Sequence, residues 1–282
     1  FDGIAYGMLL FVLAVGLAVT MGLMNFINLA HGAFAMAGGY ITVLLMQRLD
    51  VPFLVCLPIA FAGSALLGAV LERTLYRPLY HKPHLDQVLF SIGLVFMAVA
   101  AVDYYVGSTQ QIMQLPDWLR GRTEIGSLGM GHYRLFIIAV CAALTVGLQY
   151  ILAKTRFGSR LRAAVDDQRV AAGLGINVNM VFLSTFAFGS GLAGLGGALG
   201  AEVLGLDPTF PLKFMIYFLI VVAVGGTSSI TGPLLAALLL GIADVAGKYY
   251  IPKMGAFIVY ALMIVILLWR PNGLFVRQGG KA

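Results

Sequence analysis

Long apolar runs constrain the fold of this chain more than any other sequence feature. The first run, Ile4–Met24, is long enough to cross a bilayer, which takes roughly 20 mostly apolar residues. Further runs follow at Ala33–Met46, Pro52–Leu71, Val88–Val106, Tyr133–Ala153, Val181–Leu206, Phe214–Val224, Pro233–Val245 and Ala256–Trp269. Only 11% of the residues are charged, whereas soluble domains carry about 25%. The sequence therefore predicts an all-α integral membrane protein, a single domain over residues 1–282 with about eight to ten transmembrane or re-entrant helices.

Two polar interruptions divide the apolar runs, and both are candidates for a substrate pathway. The first reads N-F-I-N-L-A-H-G over Asn25–Gly32, and the second reads G-G-T-S-S-I-T-G-P over Gly225–Pro233. Transporters often carry interrupted helices at corresponding positions of an internal repeat, and solute binds where these helices meet. The pattern is compatible with such a repeat, although the halves share no sequence identity. The predicted pathway residues are Asn25, Asn28, His31, Gly32, Gly225, Gly226, Thr227, Ser228 and Ser229.

The side chains of the first interruption are compatible with two roles. The spacing of Asn25, Asn28 and His31 would place them along one face if the segment were helical. Amides and a neutral imidazole offer donors and acceptors that suit a polar solute. The same groups also hydrogen-bond between helices in many membrane bundles. A metal site is not expected, because no second His or Cys stands at ligand spacing.

Small residues dominate the stretch Gly189–Gly200, which is predicted to pack against other helices. Its beginning matches the dinucleotide fingerprint G-x-G-x-x-G but lacks the preceding strand that this fingerprint requires. Gly196 and Gly200 form a G-x-x-x-G pair, which lets helix backbones approach closely in lipid. Cys56 and Cys141 lie inside apolar runs and are predicted to be core residues rather than a disulfide or a metal pair.

Two acidic residues, Glu202 and Asp244, lie within or near apolar runs. Ionisable residues at such positions are functional candidates. Lys248 stands four residues after Asp244, a spacing that allows an ion pair on one helix. Glu202 is near the outer end of its run, where it can also reach water. These acids support an alternative function, a stand-alone secondary transporter or channel in which Glu202 or Asp244 carries protons.

The distribution of Lys and Arg predicts the orientation of the chain. Most of the 18 basic residues fall in the loops 72–87, 154–180 and 270–282. Because cytoplasmic loops carry an excess of Lys and Arg, these loops are assigned to the cytoplasm. The N-terminus is then outside and the C-terminus inside. The largest external loop, 107–132, is interpreted as an interfacial helix, a docking surface or a solvated connector.

A charged, Ala-rich segment in one cytoplasmic loop, Gly158–Gly175, predicts a short amphipathic helix. Ser159 is a plausible N-cap, and Arg162 and Asp166 stand four residues apart. Such a helix lies on the membrane surface or docks into a groove of another protein. The sequence contains neither a GxxxxGK[ST] phosphate loop nor a catalytic constellation, so the chain is not expected to be an enzyme.

These residues together resemble the permease subunits of branched-chain amino acid ABC importers. The resemblance rests on four stretches that span nearly the whole chain in order. They are M-N-F-I-N-L-A-H-G-A-F-A-M-A-G-G-Y from Met24, R-P-L-Y-H-K-P-H-L-D-Q-V-L from Arg77, F-G-S-R-L-R-A-A-V-D-D-Q-R-V-A-A-G-L-G-I-N from Phe157, and V-G-G-T-S-S-I-T-G-P from Val224, with R-P-N-G-L-F following at Arg270. The chain is similar to the shorter of the two permease types in these importers.

The resemblance implies partners and roles that composition does not. It implies a second related permease, two cytoplasmic ATPase subunits that bind ATP, and a periplasmic solute-binding protein, all at the bacterial inner membrane. Residues 157–177 correspond to the coupling loop that docks into the ATPase. The coupling residues are then Arg160, Arg162, Ala163, Asp166, Asp167, Arg169, Ala172 and Gly175. The expected solute is a branched-chain or hydrophobic amino acid, or a related small polar solute such as urea, an amide or an aromatic acid.

Overall fold

The fold is a bundle of apolar helices, seen in a computed structural model that describes residues 1–24, 26–80, 82–125, 128–226, 229–270 and 273–274. The helices are α1 (Asp2–Met24), α2 (His31–Leu49), α3 (Phe53–Leu71), α4 (His84–Val106), α5 (Asp117–Arg120), α6 (His132–Lys154), α7 (Arg156–Asp166), α8 (Gln168–Gly173), α9 (Val178–Leu204), α10 (Phe210–Gly225), α11 (Thr231–Tyr250) and α12 (Gly255–Trp269). A π-helical turn (Glu72–Tyr76) and a 3₁₀ turn (Arg77–Leu79) extend α3. The predicted all-α membrane class is confirmed.

Each predicted apolar run corresponds to a helix in the described part of the chain. Among the described residues, six helices are long and apolar enough to cross a membrane, and α10 and most of α12 form shorter apolar helices. The run predicted at Ala33–Met46 is part of the longer helix α2, because polar His31 and Arg48 continue the helix beyond its apolar centre. The observed helix boundaries therefore differ most from the predicted apolar runs where polar residues lie at the helix ends.

The small residues of α9 allow the centre of the bundle to pack tightly. This helix contacts α1, α2 and α3, and a Cβ atom added at Gly38 would overlap the backbone of Gly194. A Cβ atom at Gly196 would lie 3.0 Å from the Leu13 side chain of α1. The interpretation of Gly189–Gly200 as a packing surface is thus confirmed. Cys56 and Cys141 are buried and unbridged, as predicted.

The loop predicted to be external, 107–132, contains more regular structure than predicted. It holds α5 and a two-stranded antiparallel sheet formed by β1 (Arg122–Ile125) and β2 (Leu128–Gly131). The backbone amide of Gln111 donates to the carbonyl of Leu206 at 2.7 Å, which joins this loop to the connection between α9 and α10. An ion pair between Arg134 and Asp2 brings the start of α6 to the same face of the bundle.

Two of the loops predicted to be cytoplasmic, 72–87 and 154–180, share the opposite face with residues 273–274 of the third. The Tyr80 and Phe182 rings meet at 5.9 Å, which brings the 72–87 loop to the start of α9. The amide of Leu274 donates to the carbonyl of Val224 at 2.8 Å, which brings the last loop to the end of α10. For the described residues, the grouping of the basic loops thus agrees with the prediction, and which face meets the cytoplasm stays a prediction.

Candidate functional site

The first polar interruption is a buried break between α1 and α2, so the predicted helix interruption is confirmed. Phe26 and Asn28 are each 1% exposed, although neither lies in a helix. Irregular backbone at membrane depth is tolerated where protein or a cavity covers it. Asn25 lies outside the described residues. Asn28 precedes α2, so the condition for a helical face shared by Asn25, Asn28 and His31 is not met.

Asn28 is held by hydrogen bonds that explain why the chain is not helical there. Its Oδ1 accepts from the backbone amide of Ala30 at 3.1 Å, a local turn that competes with helix formation. The same oxygen accepts from the Tyr76 hydroxyl at 3.0 Å, which ties the break to the π-helical turn after α3. Phe26 packs edge-on against the Tyr76 and Tyr80 rings at 5.4 and 5.5 Å. Asn28 therefore makes contacts of the interhelical kind in this conformation.

His31 begins α2 about halfway across the bundle. Its Nε2 donates to the carbonyl of Leu13, in the middle of α1, at 2.9 Å. Because a carbonyl only accepts, Nε2 carries the proton. The imidazole meets the Phe218 ring of α10 edge-on at 6.3 Å, and a Cβ atom added at Gly32 would lie 3.0 Å from Pro211. The start of α2 is thus clamped between α1 and α10.

Gln87 also fixes the first break, although the sequence analysis did not single it out. Its Oε1 accepts from the backbone amide of Ile27 at 3.3 Å. Its Nε2 donates to the carbonyls of Leu79 and Lys82 at 3.3 and 3.1 Å. One buried amide on α4 therefore links the break to the turn that follows α3. The sequence feature that could have identified Gln87 is its position as a lone amide just before the apolar run Val88–Val106.

Glu72 and Tyr80 complete the polar contacts beneath the first break. The Tyr80 hydroxyl donates to Oε1 of Glu72 at 2.9 Å, and Glu72 is 3% exposed. Burial, followed by the negative charge of Glu72, raises the pKa of the Tyr80 phenol above its ordinary value. The phenol therefore stays protonated and remains a donor at physiological pH.

The second interruption separates α10 from α11, as predicted. Gly225 ends α10 and packs against Pro233, and Gly226 has a φ of 78°, a left-handed conformation that favours glycine. Ser229 is exposed, and its Oγ accepts from the backbone amide of Gly232 at 3.3 Å. Thr227 and Ser228, which were also predicted to line the pathway, lie outside the described residues.

The segment predicted as one amphipathic helix is two helices, α7 and α8, so the single-helix prediction is wrong. Asp167 lies between them, and its Oδ1 accepts from the amides of Arg169 and Val170 at 2.8 and 3.0 Å. This N-cap starts a new helix. The prediction of Ser159 as a cap is also wrong: it lies within α7, and the capping oxygen is Oγ1 of Thr155, which accepts from Gly158 at 3.4 Å.

One face of this helix pair packs on the bundle, and the other is exposed and charged. Gly158, Leu161 and Ala164 of α7 are buried. Of the predicted coupling residues, Ala163 is half-buried and the others are exposed, namely Arg160, Arg162, Asp166, Asp167, Arg169, Ala172 and Gly175. The guanidinium of Arg162 donates to the carbonyl of Leu152 at the end of α6. The pair therefore presents a polar surface while α7 is anchored to the bundle.

The tertiary structure brings α7 and the second break together around one cavity. This cavity has a volume of about 360 Å³. Its lining residues are Ala18 and Val19 of α1, Gln149, Leu152 and Ala153 of α6, Gly158, Leu161 and Arg162 of α7, and Ser229, Ile230 and Thr231 at the break. A displacement of α7 would thus change the shape of a cavity that the second break also lines.

The two acidic candidates have different surroundings. Asp244 is 2% exposed, and its Oδ2 pairs with the Lys248 ammonium at 2.6 Å, which confirms that the predicted i, i+4 ion pair forms. Glu202 is exposed near the end of α9. Within the described ranges, no group of three or more His, Cys, Asp or Glu residues could hold a metal ion.

Buried breaks between apolar helices are typical of multi-pass membrane transport proteins. Over residues 1–267 the chain matches the family described as branched-chain amino acid transport system, permease component. The protein belongs to this family, and the predicted family and role as a transport subunit rather than an enzyme are confirmed. No solved structure gives a significant match.

Curated relatives extend the match to nearly the full chain. The permease protein BraD of the high-affinity branched-chain amino acid transport system of Pseudomonas aeruginosa is 29% identical, over 98% of this chain and 94% of the relative. LivH of Escherichia coli K12 is 27% identical over 98% of this chain and 94% of the relative. LivM of the same strain is 25% identical over 95% of this chain and 68% of the relative. Two permease types of such systems are therefore both similar to this chain.

Proposed function

We propose that this protein is the membrane permease of an ATP-driven importer for branched-chain or hydrophobic amino acids. The observation that carries the proposal is the family match over residues 1–267. The relatives are named as permease proteins of branched-chain amino acid transport systems, which favours an importer subunit over a stand-alone transporter using Glu202 or Asp244. A related small polar solute, such as urea, an amide or an aromatic acid, is the second substrate class.

The proposed partners are a second related permease, two cytoplasmic ATPase subunits and a periplasmic solute-binding protein. The similarity to both LivH and LivM supports the paired permease. The exposed charged face of α7 and α8 supports an ATPase contact, because it offers a polar surface on an anchored helix pair. In the bacterial inner membrane this face meets the cytoplasm, the N-terminus is outside, and the loop 107–132 meets the binding protein.

In the proposed mechanism, the two breaks flank the pathway and α7 transmits movement to it. ATP binding closes the ATPase dimer and displaces the docked α7. Because α7 and Ser229–Thr231 share a cavity, the displacement changes the packing at the second break. The first break, held by Asn28 and His31, forms the opposite side of the path. Alternation between two packings of these contacts switches access.

Site-directed cross-linking tests the ATPase contact. Arg160→Cys is placed on the exposed face of α7, and Arg120→Cys serves as a matched exposed control in the external loop. We expect Arg160→Cys, and not Arg120→Cys, to cross-link to a co-expressed ATPase subunit in membranes. We also expect leucine uptake into vesicles to depend on ATP. Uptake by the purified chain without any ATPase would contradict the importer assignment.

A further inference from the structure

The external face holds a second cavity, separate from the one beside α7. Its volume is about 500 Å³, within the range of about 300–1,000 Å³ that small-molecule sites occupy. It lies between α1, α6, α9, α10 and α11, and its lining residues include Asp2, Arg134, Lys213, Asp244 and Lys248. Leu9, Phe214 and other apolar side chains complete the wall. The cavity therefore combines both signs of charge with an apolar surface.

Asp244 supplies an unused acceptor at this cavity. Its Oδ2 is paired with Lys248, but among the described residues its Oδ1 is buried without a hydrogen-bond partner. A buried carboxylate oxygen without a partner costs free energy, because the hydrogen bonds that it made to water are not replaced. A residue on a helix that lines a cavity can recover that cost by binding a ligand cation. The chemistry of this position thus favours an ammonium group.

The cationic side chains around the cavity remain partly exposed although each forms an ion pair. The side chains of Lys213, Lys248 and Arg134 are 55%, 55% and 43% exposed, even though each pairs with an aspartate. Half-exposed charges of this kind are costly against lipid. This flank of the bundle therefore faces water or a polar passage, and its cations remain available to a ligand carboxylate.

We infer that this cavity binds the zwitterion of an apolar α-amino acid at the external end of the pathway. The inference rests on the proposed function and specifies a solute site for it. The ligand ammonium binds the carboxyl group of Asp244, its carboxylate lies among Lys213, Lys248 and Arg134, and its side chain packs on the half-buried Phe214 and Val245. Charges of both signs and an apolar wall together exclude a simple anion or a simple cation as the preferred ligand.

Binding of radiolabelled L-leucine to the complete transporter in nanodiscs, without binding protein, tests the inference. We expect saturable binding that L-valine displaces, whereas 4-methylpentanoate, which lacks the ammonium, and leucinamide, which lacks the carboxylate, do not. Asp244→Asn should weaken binding by about tenfold or more, because a charge-assisted hydrogen bond is lost. Asp103→Asn, an exposed carboxylate on α4, is the matched control and should bind as the parent does.

A second variant keeps the test decisive if Asp244→Asn fails to assemble. Val245→Phe narrows the cavity from a half-buried lining position and leaves the ion pair intact. We expect it to weaken leucine binding similarly. Absence of leucine binding, equal displacement by 4-methylpentanoate, or unchanged binding in both variants would overturn the inference. ATP-dependent leucine uptake is measured in parallel with the binding protein present. If uptake occurs but leucine does not bind at this cavity, the inference is rejected and the proposed function stands.

Discussion

The Tyr76 hydroxyl donates a hydrogen bond to Oδ1 of Asn28 at 3.0 Å, between two fully buried side chains. This bond joins the non-helical segment before α2 to the π-helical turn that extends α3. Two departures from regular helix are thus linked by one contact. The relationship explains why a short non-helical segment keeps one conformation within an apolar bundle.

Tyr76→Phe should lower the stability of the permease modestly. The substitution removes the hydroxyl but keeps the aromatic packing on Phe26, so the loss is that of one hydrogen bond, about 0.5–1.5 kcal/mol. Thermal unfolding of the purified protein in detergent measures it. Tyr104→Phe, on an exposed residue of α4, is the control and should unfold as the parent does. An equal decrease in both variants would contradict a specific contribution from the bond to Asn28.

Asn28→Ala and His31→Ala should each lower solute uptake more than they lower the amount of protein in the membrane. Both side chains hold the first break, which the proposed mechanism places beside the pathway. Uptake is normalised to folded transporter measured by size-exclusion chromatography. Asn179→Ala changes an exposed amide on α9 and should affect neither quantity. Parallel losses of uptake and of protein would show that the break is only structural.

Gly38→Ala should severely reduce the yield of folded protein. The added Cβ atom would overlap the backbone of Gly194, and a backbone cannot move aside as a flexible side chain can. Overpacking typically costs about 1–3 kcal/mol and more where nothing can shift. Gly93→Ala on α4 is the matched control, because no atom lies within 4 Å of its added Cβ. That control should be neutral or slightly stabilising, and normal folding of Gly38→Ala would refute the tight α2–α9 packing.

Asp167→Ala should uncouple ATP hydrolysis from uptake, whereas Asp167→Asn should not. Asn caps a helix about as well as Asp does, but Ala removes the cap and costs about 0.5–2 kcal/mol. Loss of the cap disorders the start of α8, which the proposal places against the ATPase. The ratio of solute transported to ATP hydrolysed in proteoliposomes measures the effect. Equal ratios in the two variants would argue against a role for α8 in coupling.

Asp207 should make the connection between α9 and α10 sensitive to acid. Burial alone would raise the pKa of this carboxyl, but hydrogen bonds from Lys213 and Thr209 outweigh burial and place it below the ordinary value of 3.8. A depressed folded-state pKa contributes stability that is present above pH 3.8 and is lost as the pH falls through the folded-state value.

Melting temperatures measured from pH 7 down to about pH 3 test this prediction. Asp207→Asn should have a lower melting temperature than the parent at neutral pH. This difference in melting temperature should become smaller when the pH falls below 3.8, the ordinary pKa of the carboxyl. Asp103→Asn at the exposed end of α4 controls for general loss of negative charge. A parent-to-variant difference that is the same at every pH would exclude titration of Asp207 as the cause.

Periodicity and composition predicted the elements of this fold more reliably than the contacts of the site. Apolar length identified each helix of the bundle, because the burial of an uncharged run in lipid does not depend on its neighbours. The polar interruptions identified both breaks, because polar residues end an apolar run whatever its neighbours are. Asp167 shows the limit: its capping oxygen splits one predicted helix into α7 and α8, and local hydrogen-bond competition of this kind is poorly visible in an amphipathic pattern.

The sequence alone determined that this protein is a helical membrane permease with two interrupted regions and a charged amphipathic segment. Only the tertiary structure decided which groups meet there. Gln87 and Tyr76 are distant in sequence from the first break, yet they supply its hydrogen bonds. Likewise, α7 and Ser229–Thr231 come to share a cavity only when the bundle packs. Such contacts depend on how the helices pack against one another in three dimensions, which hydropathy does not encode.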